Sequence, residues 1–442
     1  MPAPVNPYLY LPMEIASREL DSRLLITLFA AKSGMDVVIG QKWLLQKNVK
    51  TTKPGVWLFK TLTVRDGEAM KSLTDAGHRV SAIDEEMPGL GEGCENLRWV
   101  NDQTVSRCET IFCLGERHRR AMVEMYPDQA EKMTIAGNPR WDVMRPELRG
   151  LFAEEVARFR KEHAPFILIN TNVGLMNSAK GTADQLVDKL AKAGKVDLSQ
   201  PDDKKFIDDL KAFESANFDA VPGLIKRLLA EFPDHNVVLR PHPTEKLEPY
   251  QAAIDGNPRA RIVREGSAAP WIAASDGMIH TSCTTATEAF ALGVNTVCYQ
   301  TAPSSFHEYF LSGSLSDVAT NEDEVIGAMR NIVDTGKGSA NDPEKTKTFH
   351  YNFAAQSGPF AAEVIVGEAQ KKMKSDAEPW KPGLFFKRWN WRTEYQKRVM
   401  PDYAPEVIET RLNVLAKTMG EHDLALDVRR CGRGIYHVRR KP

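Results

Sequence analysis

Residues Gly277-Met278-Ile279-His280-Thr281-Ser282-Cys283-Thr284-Thr285-Ala286-Thr287-Glu288, running on to Gly293, decide the reading of this 442-residue chain. A short apolar run gives way to small hydroxyl residues and then to a helical pattern, so the stretch reads as strand, turn and helix start. Unsatisfied N–H groups and the positive end of the helix dipole gather at such a start, and the hydroxyls of Thr281, Ser282, Thr284 and Thr285 join them. That combination suits a phosphate. Glu288 follows about one helical turn in, where a carboxylate accepts hydrogen bonds from ribose hydroxyls.

Upstream, Asn236-Val237-Val238-Leu239 has strand character and leads into Arg240-Pro241-His242-Pro243. Pro241 and Pro243 fix the backbone on both sides of the imidazole and forbid helix there, so His242 is held in place before any ligand arrives. Arg240 reads either as a ligand for an anion or as half of a surface ion pair. Each motif alone also reads as ordinary capping or as a plain loop. Together, at the ends of two strands in one α/β pattern, they point to a ligand site, because open α/β sheets bind ligands beyond the carboxyl ends of their strands.

That pattern extends over most of the chain. Strand-like runs near residues 8–12, 36–40, 56–59, 78–84, 110–115 and 132–137 alternate with helical stretches, and a second series follows at 165–170, 236–240, 260–263, 277–280 and 296–299. Strands separated by helices imply parallel sheets covered on both faces. The length exceeds what one hydrophobic core supports. The fold expected is therefore α/β, with two tandem Rossmann-like, doubly wound domains facing a cleft: residues 1–145, residues 146–345, and a C-terminal helical segment, 346–442, packing back on the body. The charged stretch Lys192–Phe213 reads as an exposed helical insertion.

Composition narrows the function. A formal net charge of −1 excludes a general nucleic-acid binder, which needs a clear excess of Lys and Arg. The six cysteines form no CxxC pair and read as reduced core thiols of a cytoplasmic protein. The first residues lack a signal-peptide pattern and no apolar run is long enough to span a bilayer. With no HxxxH pair and no cysteine cluster, the reading needs no metal. The glycine-rich piece Pro88–Gly93 reads as a lid or acceptor loop, and Cys94 stands where a dinucleotide fingerprint would place its last glycine. Lys381–Met400 carries aromatic and basic side chains around Phe385, Phe386, Trp389 and Trp391, which suit either contact with an anionic membrane face or a clamp docking the C-terminal helices.

Three motifs in order, Asp84-Glu85-Glu86, His242-Pro243 and the Thr281–Thr285 hydroxyls, resemble those of GT-B glycosyltransferases that use CMP-activated acidic sugars, namely bacterial sialyltransferases and capsule Kdo transferases. The runs His280–Tyr299 and Gly137–Asp142 look like the latter and like a broader group of surface carbohydrate biosynthesis proteins. In one departure, Met87 and Pro88 separate the acidic run from Gly89. The resemblance implies transfer of a Kdo or sialic-type sugar from a CMP-sugar co-substrate to a surface glycan or lipid-linked acceptor, without a cofactor, in the cytoplasm or at the inner face of its membrane. One of Asp84, Glu85 and Glu86 would take the acceptor proton, and His242 with the helix start would stabilise the departing phosphate. Donor contacts are expected from Arg240, Pro243, Thr281, Ser282, Thr284, Thr285 and Glu288, with Thr171-Asn172 and Asn138 with Arg140 at further turns. A UDP-N-acetylglucosamine 2-epimerase-like isomerase, a CDP-alditol phosphotransferase and a non-catalytic subunit remain the alternatives.

Overall fold

The computed structural model describes residues 7–49, 52–85, 89–91, 97, 99–192, 196–373 and 394–441. The chain divides into two compact units, one formed by Met1–Met87, Asn96–Leu151 and His350–Pro442, the other by Pro88–Glu95 and Phe152–Phe349.

The first unit is built on an eight-stranded sheet. Its strands are β1 (Tyr8–Met13), β2 (Asp36–Gln41), β3 (Gly55–Phe59), β4 (Arg79–Ile83), β5 (Cys108–Cys113), β6 (Met133–Ile135), β13 (Leu426–Gly432) and β14 (Ile435–Arg440), in the order β13-β14-β2-β1-β3-β4-β5-β6. β1 to β6 run parallel. Every residue of β1 and β2 is buried, which is why these runs carry no polar alternation and were legible as strands. The helix Ala16–Lys32 follows β1 and packs against β2 and against the helices Ala361–Lys371 and Pro405–Thr418.

The C-terminal segment departs from expectation. Residues 346–442 are not helical throughout: β13 and β14 form a hairpin, and β14 pairs antiparallel with β2, Val438 opposite Val37 and Ile435 opposite Gly40. Apolar Ile435, Tyr436 and Val438 are buried on the sheet, while Arg429, Arg430, Arg439 and Arg440 dilute the strand pattern in the sequence. The hairpin covers what would otherwise be a free edge at β2.

The second unit is a six-stranded parallel sheet of β7 (Phe166–Asn170), β8 (Asn236–Arg240), β9 (Ala260–Ile262), β10 (Gly277–His280), β11 (Thr296–Tyr299) and β12 (Asp317–Ala319). The order is β12-β11-β10-β7-β8-β9. From β7 the chain winds outward through β8 and β9, then returns to lay β10 on the other side of β7, so the direction of winding reverses between β7 and β10. The strand β12, three residues long, left no readable pattern. The charged 192–213 stretch is more than an exposed insertion: its described part opens a 31-residue helix, Pro201–Glu231. Ile207 closes a small cluster with Leu175 and Val187, and Phe213 packs against Phe306 with ring centroids 5.4 Å apart. Farther along, Val221, Leu224, Ile225 and Leu228 fill the main core.

Within the glycine-rich loop, Gly89–Gly91 pairs with the second unit: Gly91 N–H donates to the Tyr309 carbonyl (2.8 Å) and Leu311 N–H to the Gly89 carbonyl (3.0 Å). A side chain on Gly91 would collide with the Glu308 carbonyl. Glu86, the rest of that loop and Lys381–Arg392 of the aromatic and basic stretch lie outside the described residues. Among the described residues no helix is long and apolar enough to cross a membrane. The cysteines at 108, 113, 283, 298 and 431 are free and buried.

Candidate functional site

In the second unit the chain reverses its winding between β7 and β10, the position at which doubly wound sheets open a crevice for ligands. The last residue of β7, Asn170, lies in register with His280. Its side-chain Nδ2 donates to Thr285 Oγ1 (2.9 Å) at the start of the Thr285–Leu292 helix, so the reversal point is bridged by an amide and a hydroxyl. Asn170 Oδ1 and the neighbouring Thr281 Oγ1 are buried without a hydrogen-bond partner among the described residues. Such groups normally find one.

The turn between β10 and this helix is set by two residues. His280 Nδ1 accepts from Cys283 N–H (3.3 Å), and Nε2 lies 2.8 Å from Ser316 Oγ, which together place the ring proton on Nε2. Burial pulls the imidazole down to about 3, so it stays neutral. Ser282 adopts a left-handed backbone (φ 60°), unusual for a residue with a side chain and common where a site needs a sharp turn. The hydroxyls do not all converge. Thr285 faces Asn170, Ser282 Oγ lies against Cys298 Sγ of β11 at 3.9 Å, Thr281 is buried, and Thr284 is exposed at the helix cap.

The strand β8 delivers Arg240 and His242. Arg240 Nη2 donates to the Gly266 carbonyl (2.9 Å), and burial lowers its guanidinium while the charge of Glu288, on the helix, acts against that. Glu288 is thus near the cation, within the same strand-end region. His242 Nδ1 accepts from Thr244 N–H (3.3 Å) and lies 2.8 Å from Thr244 Oγ1, which favours the tautomer with its proton on Nε2. Pro243 is half-buried beside it. Thr171 donates to Glu245 Oε2 at 2.8 Å, and Asn172 is half-buried next to it. Sequence reasoning missed Asn170, Glu245 and Arg264. The Arg264 guanidinium binds the backbone carbonyl of Glu245, and Glu245 itself is buried under a set of hydrogen bonds described below. A polar residue closing an apolar strand, and a Glu three places after His242, were the available signals.

The first unit has its own reversal point, between β1 and β3. There Lys60, just past β3, pairs with Glu14 (2.7 Å) and Glu19 (3.2 Å), both just past β1. Burial alone would raise Glu14, but Lys60 and Lys42 pull it down to about 2. Glu85 accepts from Arg23 Nη2 at 3.1 Å, and Arg23 is fully buried. Burial would raise Glu85 as well; Arg23, then Lys60, Arg140 and Arg18, outweigh it and hold the carboxyl below its ordinary value. Asp84 has no exposure and accepts from Trp99 Nε1 (2.8 Å). Asn138 caps the short helix Pro139–Asp142 by accepting from Arg140 N–H (2.9 Å). Its neighbours clasp the C-terminal segment: Trp141 stacks on Phe353 with centroids 4.6 Å apart, and Asp142 accepts from Ala361 and Ala362 N–H. Among the described residues no three His, Cys, Asp or Glu side chains are grouped to hold a metal.

No family model matches the chain, and no curated protein matches it. Solved structures do. The UDP-GlcNAc 2-epimerase from Methanocaldococcus jannaschii superposes with a TM-score of 0.53 at 12% identity, over 83% of this chain and 100% of that one. Its complex with UDP-GlcNAc and UDP gives 0.51 at 12% identity with the same coverage. An S. aureus MnaA–UDP co-structure gives 0.50 at 12% identity, over 83% of this chain and 96% of the other. The shared property is the fold. The α/β class with two Rossmann-like units, expected from the strand and helix alternation, is that of these proteins.

Proposed function

We propose that the chain is an enzyme acting on a nucleotide-activated sugar, with the nucleotide phosphate held on the second unit at the strand ends of β7, β8 and β10. The observation that carries this reading is the Asn170–Thr285 bridge across the winding reversal, with the unpartnered Thr281 Oγ1 and Asn170 Oδ1 beside it. Buried polar atoms without partners are costly to keep; a phosphate oxygen would accept from Thr281 Oγ1, and a ligand hydroxyl would donate to Asn170 Oδ1. The reaction we favour is transfer of a Kdo or sialic-type sugar from a CMP-activated donor to a surface glycan or lipid-linked acceptor. The order of the acidic, His-Pro and hydroxyl motifs supports that donor.

In this reaction the bond from the anomeric carbon to the phosphate oxygen breaks, and negative charge grows on the leaving CMP. His242, with its proton on Nε2, donates to that oxygen, and Arg240 and the helix start add to the field. Glu288 is the candidate for the ribose hydroxyls. A base is needed for the acceptor hydroxyl. Glu85, ion-paired and kept ionised, is a weak proton acceptor, and Asp84 is sealed against Trp99; in this reading the role passes to Glu86.

Calorimetric titration with CMP, UDP and CDP, followed by turnover of CMP-Kdo and CMP-sialic acid with release of CMP, tests the proposal. His242→Ala is expected to cut turnover by roughly 10²–10³ while weakening CMP binding far less. Absence of binding by all three nucleotides would overturn it. A second reading is supported by the fold likeness to proteins crystallised with UDP and UDP-GlcNAc. Conversion of UDP-GlcNAc without any acceptor would select the epimerase.

A further inference from the structure

We infer that Glu245 is the positioning residue of the phosphate site, a carboxylate clamp that holds the His242 loop against the strand end of β7. The inference rests on the functional reading above for what the site does, and on geometry for what Glu245 does. Glu245 has no exposure. Its Oε1 accepts from Val173 N–H (3.0 Å) and His242 N–H (3.2 Å), and its Oε2 accepts from the hydroxyls of Thr171 (2.8 Å) and Tyr250 (2.7 Å). Two of these donors follow β7, one belongs to the His242 loop and one to the fully buried Tyr250. The same two loops are laced by backbone bonds, Ala179 N–H to the Thr244 carbonyl and Lys246 N–H to the Asn177 carbonyl, each 2.8 Å. They also approach so closely that a side chain on Gly174 would sit 2.8 Å from Thr244 Oγ1.

A carboxylate has about four lone-pair directions, and all four are in use. Glu245 therefore has no capacity left to take a proton from a substrate, which separates a positioning role from a catalytic one. The chemistry of the donors also foretells the substitution that preserves the clamp. In Glu245→Gln the amide oxygen still accepts both backbone N–H groups, and the amide NH₂ donates to the Thr171 and Tyr250 hydroxyls, which rotate to accept. In Glu245→Ala four donors lose their partner.

The test compares Glu245→Gln, Glu245→Ala and Thr171→Val in the full chain by three readouts: nitrogen NMR of the His242 ring, amide exchange at Val173 and His242, and CMP affinity with CMP-Kdo turnover. For Glu245→Gln the ring keeps the Nε2–H tautomer and turnover stays within about threefold of wild type. Glu245→Ala loses the single tautomer and accelerates amide exchange at both positions. Thr171→Val, which removes one neutral bond, weakens CMP binding by roughly two- to tenfold and stands in if the alanine variant fails to fold. Loss of turnover in Glu245→Gln with the tautomer intact would make Glu245 catalytic and overturn the inference, as would an unchanged ring and unchanged exchange in Glu245→Ala and Thr171→Val. If wild type neither binds CMP nor turns over the donor while the ring responds as described, the functional reading fails and the clamp stands.

Discussion

The two units reverse their winding in the same way and furnish the reversal with opposite chemistry. In the first, the strand ends of β1, β3 and β4 meet in ion pairs, Lys60 with Glu14 and Glu19 and Arg23 with Glu85. In the second, the ends of β7 and β10 meet through an amide and hydroxyls, and the nearby buried carboxylate Glu245 is satisfied by hydrogen bonds without a salt bridge to it among the described residues. Matched charges fix their neighbours and resist change of partner. Both regions also keep buried polar atoms without a partner among the described residues: Arg23 Nε and Nη1, which are charged donors, in the first, and the neutral Asn170 Oδ1 and Thr281 Oγ1 in the second. The contrast separates a strand-end region held by ion pairs from one held by neutral hydrogen bonds, where the proposed reading puts the ligand, even though one topological rule marks both as places to look.

The largest effect that can break this contrast is on stability. Arg23→Met leaves Glu85 buried with its principal partner gone, and removal of one member of a buried pair costs about 3–5 kcal/mol. The double variant Arg23→Met/Glu85→Met should recover most of that loss, since neither charge then remains to be desolvated. Thr281→Val in the second unit replaces a hydroxyl that already lacks a partner, so urea denaturation should show a change of less than about 1 kcal/mol, while CMP affinity drops. A stability loss from Thr281→Val equal to that from Arg23→Met would erase the distinction.

A smaller effect comes from buried imidazoles, which both units contain. Burial lowers His280 of the second unit to about 3, and His118 and His78 of the first to about 3 and about 4. Their folded values lie below the ordinary one, so the unfolded chain binds more protons on acidification. The stability they contribute is complete above about pH 6.5 and is lost as pH falls through the folded values, about 4 for His78 and about 3 for His118 and His280. At pH 5 each costs on the order of 2 kcal/mol. Urea midpoints at pH 5, 6 and 7 should fall with acid in wild type and fall less steeply in His280→Asn. An equal slope in the variant would mean that His280 titrates normally and does not hold the Cys283 turn as a neutral ring.

How much of this was legible in the sequence depended on where the deciding partner lies. The strands β1 to β11 were readable because apolar runs of strand length are a local property, and Arg240 to Pro243 and Thr281 to Glu288 were correctly placed at strand ends for the same reason. The hairpin of β13 and β14 was hidden by its arginines, and its pairing with β2 joins residues some 400 positions apart, as His437 and Asp36 do. Glu245 looked like any solvated glutamate, because Thr171, Val173 and Tyr250, which bury it, come from elsewhere. The 137–142 turn shows the limit from the other side. The expectation there concerns donor contacts from Asn138 and Arg140, whereas the residues whose role the fold makes plain are their neighbours Trp141 and Asp142, which clasp Phe353 and the Ala361–Lys371 helix. A motif's residues can be recognised before its partner is known; its job cannot.

That clasp provides the finest comparison, because each unit contains a buried carboxylate that receives two successive backbone N–H groups, on both oxygens of Asp142 and on Oε2 alone of Glu214. Asp142 receives the N–H groups of Ala361 and Ala362 (3.0 and 2.9 Å), and Glu214 receives those of Leu175 and Met176 (2.7 and 3.0 Å). Burial pushes both carboxyls up to about 7, against the pull of those N–H groups. A folded value raised above the unfolded one means stability that is complete below about pH 4 and is lost as pH rises through 7. Asp142→Asn keeps an acceptor for one N–H and turns a donor toward the other, at a cost of about 1 kcal/mol. It does not titrate, so its deficit against wild type should shrink between pH 5 and pH 8; Glu214→Gln should follow the same pH trend from a smaller deficit, because both N–H groups bind Oε2 and the amide oxygen still accepts both. The opposing force is the helix start at Ala361, whose dipole favours an ionised carboxylate. If the Asp142→Asn deficit grows with pH while that of Glu214→Gln shrinks, the dipole outweighs desolvation at the clasp, and the two carboxylates respond to pH in opposite directions.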